Sequence, residues 1–140
     1  MKNLALYLFL ATTLLLACND SNSGDTQAGT DNPVTQAWDQ MMVIHDEVMP
    51  EISTLKKLEQ GFRAMPKDSI TNRTLASLNK AEKAMWDWMH NLTPLDQVNK
   101  MPEAEAMNYI KKKTEEISEV KQIMLAAIKT GQEQAATKSE

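Results

Sequence analysis

Trp38, Met41, His45, Val48, Ile52, Leu55 and Phe62 follow one another at alternating steps of three and four, with Glu59 as the single polar interruption. A repeat of that kind keeps one side of an α-helix apolar and turned toward a neighbouring helix. It does not fit a strand, whose side chains alternate faces at a period of two. From Pro33 onward the chain holds to the helical period and carries almost no strand signal, so the expected fold class is all-α.

The segment boundaries are marked by capping and breaking residues. Asn32 is suited to cap the first helix and Pro33 to stand at its first position, where a missing N–H is no loss. Met42 and Met49 widen the apolar stripe in the first half of this helix, whereas Lys56 and Arg63 flank it in the second. Pro50 removes a backbone bond to Asp46 and crowds its carbonyl, which predicts a proline kink in the first helix. Gly61 and Pro66 end the segment. A second helix starts at Pro66 or Asp68, runs through Leu75, Leu78, Ala81, Met85, Trp88 or Met89, and Leu92, and ends at Thr93-Pro94. A third begins near Pro102, with Glu103 and Glu105 at the positive end of its dipole. Its stripe reads Met107, Ile110, Thr114, Ile117, Lys121, Met124 and Ile128, and it stops near Gly131. Short connections between such helices predict an up-down-up antiparallel three-helix bundle over residues 33–131, with a dimer of helical hairpins as the alternative. Residues 132–140 read as a frayed tail. The run Lys111 to Lys113, followed by Glu115, Glu116 and Glu119, reads as a solvated face held by pairs at i, i+4.

The N-terminus places this domain. Lys2 followed by the apolar run Leu4 to Leu16 reads as an export signal, too short to span a bilayer, which needs about 20 residues. Leu15-Leu16-Ala17-Cys18 resembles the bacterial lipobox. The resemblance implies a signal peptide over residues 1–17, cleavage before Cys18, diacylglycerol on its sulfur and a fatty acyl chain on the new amino terminus. Cys18 is the sole cysteine, so no disulfide within the chain competes for it. Residues 18–32 carry no large apolar side chain after the cysteine and read as a flexible polar tether on the order of 20 Å long. The expected location is the cell envelope, lipid-anchored to the inner or the outer membrane outside the cytoplasm. The formal charge of −4 becomes −5 once Lys2 is removed, which argues against nucleic acid as a partner.

One constellation could carry chemistry. Folding the first two helices back on each other near residue 65 brings His45 and His90 within about 7 Å of one level along the bundle. Met41, His45 and Met49 stand at i, i+4, i+8, and Met85 and Met89 at i, i+4, so each set lines one helical face. Thioether and imidazole together suit Cu(I), and a Met/His pair can ligate haem iron. The competing reading is that methionine serves as an adaptable core residue and that no cofactor is bound. The core reading is preferred. What sustains the other is composition: beyond residue 18 there are nine methionines against seven leucines. His45-Asp46-Glu47-Val48-Met49 lacks the second histidine and the glutamate position of a zinc-protease helix. Asp87 and His90 have the spacing of half a carboxylate di-iron motif, without its companions. His45 and Asp46 are neighbours on a helix and are expected to point apart. No catalytic residue is assigned, and the domain is expected not to be an enzyme.

MMVIHDEVMPEISTLKKL (Met41 to Leu58) and AMWDWM (Ala84 to Met89) resemble segments of small helical bacterial lipoproteins that sometimes carry the label "viral A-type inclusion protein". The resemblance covers roughly residues 38 to 130. It implies a helical lipoprotein and transfers no site residues. Together these readings predict a membrane-anchored envelope lipoprotein whose helical domain binds a protein partner, self-associates or plays a structural role, with copper or haem binding as the alternative.

Overall fold

The computed structural model describes residues 32–137. The expected signal segment 1–17, Cys18 and the tether as far as residue 31 lie outside the described residues, as do residues 138–140 of the tail. The elements are α1 (Pro33–Val48), α2 (Glu51–Arg63), α3 (Ser69–His90), the single turn α4 (Leu95–Val98) and α5 (Glu103–Thr137). The fold is all-α, with no strand among the described residues.

Local chemistry sets the starts. The Asn32 side chain accepts from the Val34 N–H at 2.9 Å, and Pro33 opens α1. Asp68 accepts from the Thr71 N–H at 2.7 Å and caps α3. The single first helix expected from the apolar spacing is two helices, separated by Met49 and Pro50. Met49 still donates to the His45 carbonyl. Beyond it, Ile52 donates to Met49 and Ser53 to Pro50, across three residues instead of four. Pro50, which has no N–H, forces that break. The apolar stripe nevertheless runs through it: Met41, Val48, Ile52, Leu55 and Phe62 are all buried, and Val34 extends it by one turn.

α5 is the common wall of the fold, packing against α1, α2 and α3, while α2 also packs on α3. Its buried stripe differs from the expected one. Ile110, Ile117, Met124 and Ile128 are buried as anticipated, but the alternate positions are Ala106, Lys113, Val120, Ala127 and Gly131 instead of Met107, Thr114 and Lys121. Small side chains allow close approach. A Cβ at Gly131 would lie 3.1 Å from Leu58 Cδ1 and 3.4 Å from Leu78 Cδ2, so this glycine admits two leucines and does not end the helix, which continues to Thr137.

The contacts of α5 follow an order. Lys121 pairs with Glu47 of α1 at 2.7 Å, and further along α5 Gly131 faces Leu58 of α2. On α3 the order reverses: Lys113 meets Trp88, and Gly131 meets Leu78. Lys56 reaches Glu82 at 3.1 Å between α2 and α3. All buried side-chain nitrogens and oxygens among the described residues have a hydrogen-bond partner.

Candidate functional site

His45 lies in the last turn of α1, and its ring stacks on Trp88 of α3 with centroids 5.6 Å apart and planes 26° from parallel. Its Nδ1 is 2.8 Å from Asp46 Oδ1. The expectation that these neighbours point apart is therefore wrong for their tips, which meet while the imidazole stacks on the indole. Trp88 Nε1 in turn donates to the Lys113 carbonyl of α5 at 3.1 Å. One stack and one hydrogen bond thus join α1, α3 and α5 at a single level.

The proposed metal ligands occupy different environments. Met41 and Met85 have no exposed surface and belong to the core. Met49 and Met89 are half-buried against it. His90 is exposed, with Nδ1 2.7 Å from the Trp86 carbonyl. At about 100° per residue it stands about 140° around α3 from Met85, so it does not face the thioethers. The structure brings His45 to Trp88, with Met41 and Met85 in the core and His90 at the surface. Among the described residues no three His, Asp or Glu side chains are arranged to hold a metal. Asp87 is engaged with Lys83, its neighbour at i−4.

The surface is more open on the other side of Trp88. A cleft of about 590 Å³ runs between α3 and α5, lined by Asp87, Trp88, Asn91, Tyr109, Lys112, Lys113, Glu116, Glu119, Val120 and Ile123. Lys113 forms its floor. Only 9 % exposed, it pairs with Glu116 at 2.7 Å and lies 6.0 Å from the centre of the Tyr109 ring. Tyr109 accepts from the Thr93 N–H at 2.6 Å, which pins the turn after α3. Lys113 is thus not part of a solvated face, as the charge run suggested, although Lys112 and Glu116 do pair at i, i+4, 3.9 Å apart. The residue carries a signal after all: it lies three after Ile110 and four before Ile117, on the buried stripe, where a lysine can bury its stem and keep its ammonium at the rim.

Two further clefts flank α5. One of 270 Å³ continues along the α3–α5 seam and is lined by Ile70, Arg73, Thr74, Ser77, Thr130 and Gln134. The other, 340 Å³, lies between α1 and α5 beside Ala37, Gln40, Met107 and Thr114. His45 and the methionines at 41, 49, 85 and 89 line none of the three. No helix among the described residues is long and apolar enough to cross a membrane. No protein family, curated protein or solved structure matches the chain.

Proposed function

We propose that the chain is a lipid-anchored protein of the bacterial cell envelope, held to a membrane through acyl chains on Cys18, and that its helical domain binds a protein partner and is not an enzyme. The anchoring rests on the Leu15-Leu16-Ala17-Cys18 junction after an apolar run. The binding role rests on one observation above all, the open α3–α5 seam beside a core whose polar groups are internally paired. Seams of that kind suit an added helix, whereas His45, stacked on one partner and hydrogen-bonded to another, is engaged within the fold.

In this reading α1 and α2 form one arm bent at Pro50, α3 returns and α4–α5 run forward again, an up-down-up bundle. The order of contacts supports it: Glu47–Lys121 then Leu58–Gly131 ascend together, while Trp88–Lys113 and Leu78–Gly131 run oppositely. Residues 18–32 would be the tether that holds the bundle near the lipid.

The anchoring is tested by feeding the expressing bacterium an alkyne-tagged fatty acid. The expected result is label on the mature chain, fractionation with membranes, and loss of both in Cys18→Ser. A wild-type chain that carries no label overturns it. Titrating the purified chain with Cu(I) and with haem tests the role of the core: stoichiometric binding abolished by His45→Ala and by Met41→Ala would replace the protein-binding reading with the metal one.

A further inference from the structure

The α3–α5 seam sets exposed isoleucines beside charged side chains. Ile123 is 36 % exposed in the larger cleft and Ile70 41 % exposed in the smaller. On the α3 side stands Lys80, exposed and without an ion pair. On the α5 side stands Glu119, likewise exposed and unpaired. The helices run oppositely, with Trp88 at Lys113 and Leu78 at Gly131, so Lys80 lies about level with residue 127 of α5, roughly one turn from Ile123. Glu119 is one turn to the other side of Ile123. Lys80 and Glu119 therefore stand at nearly equal distances above and below Ile123 and carry opposite charges.

Such an arrangement is complementary to itself under a two-fold rotation. We propose that the α3–α5 seam is the contact surface for a second copy of this chain, antiparallel to the first. Ile123 meets its counterpart at the axis, and Lys80 of each copy faces Glu119 of the other. This rests on the protein-binding reading above and names the partner. A parallel pairing would bring Lys80 toward Lys80 and lose both attractions. α3, 22 residues long, spans about 33 Å, so two such faces bury on the order of 1,000 Å² in total, at the lower limit of a specific interface. The dimer is consequently weak and reversible, and confinement to a membrane surface raises the local concentration that populates it.

Cysteine cross-linking in the expressing cell, on the full chain, tests this. Ile123→Cys is expected to give a covalent dimer under mild oxidation. Leu125→Cys, 44 % exposed but about 200° around α5 from Ile123, is expected to give none. In the Ile123→Cys background, Lys80→Glu or Glu119→Lys lowers the yield roughly fivefold to tenfold, and the double exchange restores it. Equal yields from positions 123 and 125, cross-linking of position 123 to a different protein, or no recovery in the double exchange would overturn the proposal. Failure of the anchoring reading shows separately, as a wild-type chain without the fatty-acid label, whereas loss of the seam contact leaves that label in place.

Discussion

Glu82 shows how a single side chain couples this fold to pH. Burial alone would raise its proton affinity, but hydrogen bonds from the Trp86 indole and the Lys56 ammonium, together with the Lys56 charge, outweigh burial and hold the carboxyl below its usual value of 4.5. A carboxyl more acidic in the folded than in the unfolded chain adds stability that is fully present above pH 4.5 and is lost as pH falls through the folded value. Glu82→Gln is therefore expected to lower the urea midpoint at pH 7, and the gap to wild type should narrow at pH 3.5; a gap that is constant with pH would count against the pairing. Gly61 is a second position where one atom matters. It lies within α2, with nothing within 4 Å of where a Cβ would stand, so Gly61→Ala should stabilise the fold by about 0.5–1 kcal/mol, measured by denaturant unfolding. At this scale the caps were legible, because Asn32 and Asp68 act on backbone within three residues. The partners of His45 were not, because a stack on Trp88 depends on two helices meeting at one level.

Among the elements, the arm from Pro33 to Arg63 follows its sequence closely, since its alternating apolar residues are large and face one direction. α5 does not, and the difference is instructive. Counting size and apolarity favours Met107 over Ala106, yet Met107 is 37 % exposed and Ala106 is buried. α5 faces three other helices, and its inward edge is set by how closely they approach it, which favours Ala106, Ala127 and Gly131 at the contacts. The same logic predicts the response of Gly131. Replacing it with leucine drives a branched side chain into Leu58 and Leu78 and should cost about 1–3 kcal/mol by denaturant unfolding, whereas alanine needs Leu58 to yield only a few tenths of an ångström. Lys113 should behave differently again. Its stem is buried, its ammonium sits at the rim, and Glu116 is part-exposed and keeps Lys112 beside it, so Lys113→Met is expected to leave stability within about 1 kcal/mol of wild type by denaturant unfolding.

For the molecule as a whole, the all-α class and the positions of most turns were readable, because periodicity and prolines are local. Pro50 marked the place where the first segment is interrupted, though not that it divides into two helices. The turn α4 and the open seam were not readable, since each depends on how packed helices divide the available surface. α5 contributes the shared wall, so a chain ending before Glu103 is expected to lose cooperative thermal unfolding by circular dichroism, with α1–α3 left without the face that buries Met41, Leu78 and Met85. The position of that wall in the chain carries a further consequence. Synthesis proceeds from the N-terminus at about 5–20 residues per second, so α1, α2 and α3 emerge seconds before the helix that covers them all. Until roughly its last quarter is made, the polypeptide has no complete core to close on, so the first three helices wait, partly uncovered, on the one that is synthesised last.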